Sequence, residues 1–548
     1  MPEKQQGPSR RRFLAGTAIG VGGSVLVESA LLSGTALATE AGGGPVAATS
    51  SATTVCATDI QYPDLVIGLN PRWSARPDNV YVVDAPEQIA PIVAGAISQG
   101  KKITVRGGGH CFEDFVYSGD AKVIIDLTNM NRIYYDAATN SIAMETGATL
   151  LDVYEKLYQT WGTVIPAGVC YSVGLGGHVA GGGWGWLVRR NGIVVDHLYA
   201  VEVVTVNSSG QVKTVLATRE ANDPNRDLWW AHTGGGGGNF GVITRYFFRS
   251  PGATGTDPRK LLPNPPAKVL FNATGWNLNN LTEAQFSRLL INYGSWHAAN
   301  LSPSSPGRDL ACLFQVFHKS NGQIIALTQI DAATPNAQSI MDSFIAHLAN
   351  GAAPPLFTQT TPMPWLQFMK YTSTANPLAN DPTLRAEYKS AFMKQPFTAT
   401  QAATIYRHFT RSDVSNKNLN LILSPYGGAT ASVPQADTAI QHRDAAYKAL
   451  WAAPWSNPAD DAVNIAWARQ VYYDVYADTG GVPVPNAASD GAYLNYCDAD
   501  LSDGAWNRSS TPWHGLYYKG AYPRLQQVKL RYDPRNVFRH RQSIQLPS

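Results

Sequence analysis

Between about residues 81 and 250 the chain alternates short apolar, β-rich runs with stretches of helical period. Residues 101–109, KKITVRGGG, read as a strand running into a glycine turn, and 121–130, AKVIIDLTNM, as a second strand. Residues 149–161 place Leu150, Leu151, Val153, Tyr154, Leu157 and Tyr158 at helical spacing, which predicts a helix. Residues 199–215 read as two strands about a turn at Ser208 to Gly210. A Pro-rich break follows at 261–270. Beyond it the pattern changes: residues 325–349 read as helix broken at Pro335, and 418–428, NLNLILSPYGG, as a strand. On a period of two, Asn420, Ile422 and Ser424 share one face of that strand. The segment from Gly491 to Ser548 is aromatic-rich. No internal repeat or heptad pattern is present. The pattern predicts an α+β fold.

At 548 residues the chain is too long for one ordinary core, so two domains are expected. Its 44% hydrophobic and 15% charged content suits a globular protein. A net charge of +3 offers no electrostatic case for nucleic acid. The 14 Trp and 25 Tyr are many; most are assigned to packing, the rest to stacking on sugars or planar ligands.

The N-terminus changes the picture of where the protein works. SRRRFLAG, from Ser9, is followed by a weakly apolar run to about Val27 and by ALA at 36–38. This is the pattern of a twin-arginine export signal, with the export machinery as partner and a secreted product. The run is short of the ~20 residues a membrane span needs, and no later segment reaches that length, so no stable anchor is expected. Twin-arginine export carries folded proteins, which suits a chain that takes up a cofactor before it leaves. Residues 39 to 57 are rich in Ala, Thr, Gly and Ser and read as a disordered leader. Of the five cysteines, Cys56, Cys111, Cys170, Cys312 and Cys497, an odd count leaves at least one without an internal disulfide partner. No C-x-x-C pair occurs, and no metal site is expected.

Three glycine-rich loops carry the chemistry: VRGGGHCFEDF (105–115), GVCYSVGLGGHVAGGGWG (168–185) and GGGGGNFGVIT (234–244). Bare backbone lets a ligand approach closely, and successive N–H groups form a nest for an anion such as a phosphate. GLGGHVAGG has superficial dinucleotide-fingerprint spacing but no clean apolar strand before it, so a nicotinamide site is rejected.

These loops, with YLNYCDADL (493–501) and YDPRNVFRHRQSI (532–544), strongly resemble the berberine-bridge-enzyme-like covalent flavin oxidases of the vanillyl-alcohol-oxidase superfamily. The resemblance covers about residues 75–250 and 480–545. It implies a PCMH-type FAD-binding domain of two α+β subdomains and a substrate domain built on an antiparallel β-sheet covered by helices. The boundaries expected are a signal at 1–38, a leader at 39–74, the FAD domain at 75–255, the substrate domain at 256–489 and a C-terminal segment at 490–548 that returns to the FAD domain. It also implies FAD attached twice, through His110 to the 8α-methyl carbon and through Cys170 to C6. Both are sensible nucleophiles, a neutral imidazole and a thiol reactive as thiolate. Further FAD contacts are implied at Arg106, Gly107, Gly108, Gly109, Val173, Gly174, Gly177, His178, Gly182, Gly183, Gly238, Asn239, Gly241, Val242, Tyr493 and Asn495.

The resemblance implies that the base is Tyr493 of the Y-x-N-Y element, with Tyr496 as second choice. A phenol of ordinary pKa near 10 needs a nearby cation or hydrogen-bond donors to serve at neutral pH. Trp184, Asn420, Ile422 and Ser424 are expected to face substrate. Asn420 and Ser424 stand where relatives often carry a carboxylate or other strong polar group, so no second base is evident. Trp184 replaces a usual tyrosine, and Lys519 and Ala521 replace a usual glycine and asparagine. Val173 goes, in the family, with ready reaction of reduced flavin with oxygen. The bicovalent subgroup acts on bulky substrates such as oligosaccharides and glycosylated antibiotics. The implied activity is oxidation of an alcohol or hemiacetal of a sugar, oligosaccharide or glycosylated natural product. Oxygen is the acceptor and hydrogen peroxide the product. Two other readings stay open: oxidative bond formation on an alkaloid-like metabolite, and a non-catalytic flavoprotein that sequesters a ligand.

Overall fold

A computed structural model describes residues 51–374 and 377–548. The arginine-rich signal and the start of the leader lie outside the described residues. Three sheets organise the chain. The first holds β1 (Thr53–Val55), β2 (Asn79–Val82), β3 (Ile103–Arg106) and β4 (Val123–Asp126) in the order β1-β2-β4-β3. Strands β2, β4 and β3 run parallel, and β1 adds antiparallel to β2. The second sheet is antiparallel: β5 (Ile133–Asp136), β6 (Ser141–Glu145), β7 (Leu198–Val206), β8 (Val212–Thr218) and β9 (Val242–Phe248), ordered β5-β6-β9-β7-β8. The turn expected at Ser208 to Gly210 joins β7 to β8, with Gly210 at φ 84°. The helix predicted at 149–161 is Leu150–Trp161. Thr149 caps its start with Asp152, and Gly162, at φ 66°, ends it.

The third sheet has seven strands, all antiparallel: β10 (Lys268–Asn277), β11 (Ala311–Phe317), β12 (Gln323–Asp331), β13 (Phe357–Pro364), β14 (Arg385–Met393), β15 (Asn420–Pro425) and β16 (Tyr447–Trp455). Their order is β13-β10-β12-β11-β15-β16-β14. Helices Glu283–Ala299, Ala337–Ala349 and Asp461–Val475 pack on it, with Ala399–Phe409 packed against the first and last of these. Leu421 and Leu423 of β15 and Trp451 of β16 are fully buried in the apolar core. The alternate positions face a cavity. The fold is therefore α+β, as expected, with an antiparallel sheet covered by helices.

Two expectations are corrected. Residues 325–331 are not helix: they belong to β12, paired on both sides by β10 and β11. Ile325, Leu327 and Gln329 alternate with Ala326, Thr328 and Ile330, and pairing on both edges overrides the helical reading. The helix starts only at Ala337, after Asn336 at φ 59°. Within the leader expected at 39–74, read as disordered to residue 57, the described residues from Thr53 on are structured. β1 pairs with β2, and Asn70 donates to the carbonyls of Phe112 and Ala386 and accepts from the Ala386 N–H. Arg72 pairs with Glu387. Composition alone misled here, because these bonds are made to partners far away in sequence.

Candidate active site

The three glycine loops converge on one cavity of about 420 Å³, a usual size for a small-molecule site. The first follows β3, turns at Gly109 (φ 73°) and delivers His110. It crosses the second loop glycine on glycine. A Cβ on Gly108 would lie 2.2 Å from the Gly174 nitrogen, and one on Gly174 would lie 2.1 Å from the Gly108 nitrogen. No other residue type permits this approach. The crossing brings the His110 and Cys170 loops together: His110 Nε2 is 2.9 Å from Ser172 Oγ, which donates to Asn380 Oδ1 at 2.8 Å. The third loop is held by Asn239, whose Nδ2 donates to the carbonyls of Gly235 and Gly236 while its Oδ1 accepts from Ile544 N–H. Lys529 of helix Tyr522–Tyr532 donates to Asn239 O at 2.6 Å. The C-terminal segment thus folds back onto the third loop.

Of the expected cofactor contacts, Arg106, Gly107, Gly108, Gly109, His110, Cys170, Val173, Gly174, Gly177, His178, Gly238, Asn239, Gly241, Tyr493 and Asn495 line this cavity. Gly182, Gly183 and Val242 do not. Val242 is fully buried in the core under the first two sheets. Gly182 packs on Ile440 and Gly183 on Val194, so their bare backbone serves a turn. A Cβ on Gly177 or Gly237, both cavity-lining, would meet no protein atom within 4 Å. Bare backbone facing open space there leaves room for a cofactor to lie against the loops.

The far wall is the seven-stranded sheet. Asn420, Ile422 and Ser424 all face the cavity, as the period of two predicts, flanked by Leu313, Gln315 and Phe317 of β11 and by Leu450 and Ala452 of β16. Asn420 Oδ1 is buried without a hydrogen-bond partner among the described residues. Trp184 also lines the cavity; its indole N–H donates to Pro425 O at 2.7 Å.

Sequence reasoning missed Lys448. It sits on β16 directly beside Ser424 and is almost fully buried. Its Nζ donates to the Tyr496 hydroxyl at 2.8 Å and lies 4.2 Å from the Trp184 ring centre, 4.3 Å from that of Tyr496 and 5.2 Å from that of Tyr493. Electron-rich ring faces attract such a cation. The findable signal was one lysine in an otherwise apolar strand, YKALWAAPW.

The two tyrosines differ. Tyr493 is buried, and its hydroxyl accepts from Asn495 Nδ2 at 3.0 Å. Burial pushes its pKa up, against the hydrogen bonds from Asn495 and from the N–H groups of Gly183 and Trp184. Tyr496 is half-buried, open to the cavity and paired with Lys448. Burial raises Tyr496 and lowers Lys448. A 2.8 Å hydrogen bond joins the two groups directly. Burial also lowers His110 to about 4, with Arg106 adding to the effect, so its imidazole is neutral at pH 7. It raises Cys170 to about 11, partly opposed by Lys448, so that group rests as a thiol.

Behind this wall lies a charged cluster. Lys389 Nζ donates to Glu387, Asp498 and Asp500, and Glu113 Oε1 accepts from Ala499 N–H. Burial and the Glu387 charge raise Glu113 to about 8, and burial raises Asp498 to about 7 against Lys389. The cluster ties the His110 loop, β14 and the Y-x-N-Y element together.

Residues 77–215 match the FAD binding domain family and 492–545 the berberine and berberine-like family. The chain is 45% identical over 544 residues to the aclacinomycin-N/aclacinomycin-A oxidase of Streptomyces galilaeus, with 98% of each chain covered. The protein belongs to the berberine-bridge-enzyme-like family of FAD-linked oxidoreductases. Hexose oxidase of Chondrus crispus is 30% identical, with 89% of this chain and 93% of that one covered. The fold agrees with the crystal structure of a glycopeptide hexose oxidase complexed with teicoplanin, at a TM-score of 0.86 and 42% identity, covering 90% of this chain and 99% of the other. Lys519 stands at φ 50°, a conformation that favours glycine, and its ammonium is held by Asp490 at 2.8 Å.

Proposed function

We propose that the protein is a secreted oxidase of an alcohol or hemiacetal carbon in a sugar, oligosaccharide or glycosylated natural product, with oxygen as acceptor and hydrogen peroxide as product. The observation that carries this reading is the hydrogen bond from buried Lys448 to Tyr496, a tyrosine that lines the same cavity as the three glycine loops. The sugar-oxidising names of the hexose oxidase and glycopeptide oxidase relatives support the substrate class. FAD would be held by the glycine loops and linked through His110 and Cys170. The chemistry supplied by bound FAD is acceptance of the carbon hydride and its delivery, as an electron pair, to oxygen.

The chain's own part is proton handling and positioning. Tyr496 oxygen takes the substrate hydroxyl proton, and Lys448 stabilises the deprotonated pair, whether it is written as ammonium and phenolate or as amine and phenol. Assigning the base to Tyr496 rather than Tyr493, both of which line the cavity, rests on the greater exposure of Tyr496 and its bond to Lys448, against a buried Tyr493 hydroxyl held by Asn495. Asn420 Oδ1 and the Ser424 and Gln315 side chains offer polar contacts to a sugar on the same wall. The arginine-rich start supports export by the twin-arginine route. Among the described residues no helix is long and apolar enough to cross a membrane.

The deciding experiment measures peroxide release against a panel of sugars, oligosaccharides and glycosides. Flavin reduction by at least one sugar with stoichiometric peroxide is expected. Reduction with no peroxide rejects the oxidase reading, and no reduction by any panel member rejects the substrate class.

A further inference from the structure

Cys111 and Cys497 are 386 positions apart, yet their sulfurs lie 3.9 Å from each other. Each stands beside a residue of the proposed machinery, Cys111 after His110 and Cys497 after Tyr496. Both line the cavity; Cys111 is half-buried and Cys497 buried. Neither is in a disulfide, and the proposed reaction uses neither. Their surroundings differ in kind. Contact with the Cys497 sulfur and with the backbone N–H groups of Glu113 and Phe115 lowers the Cys111 pKa against burial and the charge of Asp114. The contact with Cys111 and burial raise the Cys497 pKa. Two thiols in contact, one of them with its pKa lowered by donors, are arranged as an attacking and a resolving cysteine.

We infer that Cys111 and Cys497 form a peroxide-oxidised pair, closing into a disulfide that joins the His110 loop to the tyrosine element. The Cys111 thiolate attacks one peroxide oxygen, the O–O bond breaks, and hydroxide leaves a sulfenic acid on Cys111. Cys497 sulfur then attacks the Cys111 sulfur, the S–O bond breaks, and the Cys497 proton leaves with that oxygen as water. In sum, two thiols and one hydrogen peroxide give one disulfide and two waters, with the peroxide gaining the two electrons. The other cysteines are placed differently. Cys312 of β11 is fully buried with its thiol pushed up to about 12, and Cys56 Sγ, just past β1, contacts Asn79 of β2. The inference rests on the proposed oxidase reading only for the natural source of peroxide.

The test uses the holoenzyme, reduced with dithiothreitol, desalted, and exposed to added hydrogen peroxide without sugar. It is then denatured with N-ethylmaleimide, digested and mapped by mass spectrometry. The expected product is a Cys111 peptide linked to a Cys497 peptide, absent after reduction, while Cys312 remains alkylated. In Cys497→Ser the link is lost and Cys111 is trapped by dimedone as sulfenic acid. Alkylation of both cysteines to the extent seen without peroxide overturns the inference, as does linkage of Cys111 to another cysteine. Because peroxide is supplied, a linked pair in an enzyme that releases none with sugars would sink the oxidase reading and leave this one standing. The wild-type map decides the matter even if the serine variant does not fold.

Discussion

Replacing Lys448 by methionine keeps the stem that packs on Trp184 and removes the ammonium. At 2.8 Å from the Tyr496 oxygen, an ammonium facing a phenolate is worth about 6 kcal/mol at an effective dielectric near 20. At about 1.4 kcal/mol per tenfold, that caps the loss near 10⁴. Burial opposes the charge on Lys448, so part of the attraction is unrealised. The loss of turnover expected for Lys448→Met is therefore about 10²–10⁴, the range of a positioned general base. The pH profile gives the sharper reading. Activity needs the pair short of one proton, so the rate rises with pH through the pair's apparent pKa and then levels. Without Lys448, Tyr496 is left with a phenol that burial raises above its ordinary value, and the rising limb moves to higher pH.

The assay is stopped-flow flavin reduction by a sugar found in the panel, normalised to bound flavin and run from acid to alkaline pH. Normalising matters because Lys448 also acts on Cys170. Tyr496→Phe should lose as much as Lys448→Met, and the double variant little more than either, because the two act as one unit. Additive losses, or an unmoved acid limb in Lys448→Met, would refute the reasoning. Near-normal reduction in Tyr496→Phe with a large loss in Tyr493→Phe would return the base to Tyr493, whose hydroxyl the donors of Asn495, Gly183 and Trp184 would then stabilise as phenolate.

Acid-precipitated protein should stay yellow, with one flavin-bearing peptide set containing both His110 and Cys170. Either residue changed to alanine should leave one link and the double change none, and attachment at Cys170 should speed up as pH rises toward about 11. Gly108→Ala places a Cβ 2.2 Å from backbone nitrogen that cannot move aside, so thermal unfolding should show destabilisation of at least about 1–3 kcal/mol, with loss of flavin. Glu113 is held near 8 in the fold against about 4.3 unfolded, so the folded state keeps the extra proton between those values. Stability from this group is full below about 4.3 and is lost as pH rises through about 8; Glu113→Gln should flatten that decline in melting temperature measured across the same range.

Wherever the chemistry depends on local backbone, it could be read in advance. Three runs of glycine before or around His110, Cys170 and Asn239 can hardly be read otherwise, since only bare backbone lets Gly108 and Gly174 touch. The face of β15 was equally plain, because a two-residue period needs no knowledge of neighbours. What stayed hidden depends on register between strands. Lys448 is 24 positions from Ser424, and only the antiparallel pairing of β15 with β16 sets the two side by side, with Lys448 behind the cavity-lining Tyr496. The same dependence explains β12, whose helical look yields to two paired edges, and the leader, whose Asn70 is held by Ala386 across the molecule. It also explains the choice between tyrosines. Spacing gives Tyr493 and Tyr496 equal standing, three apart in one motif. The difference between them is made by what the sheet and the glycine turn bring to each hydroxyl, an ammonium in one case and amide N–H groups in the other. An ammonium can exchange its proton with the phenol it touches, whereas an amide only orients the phenol. In the proposed mechanism that chemical distinction separates the base, Tyr496, from Tyr493 beside it.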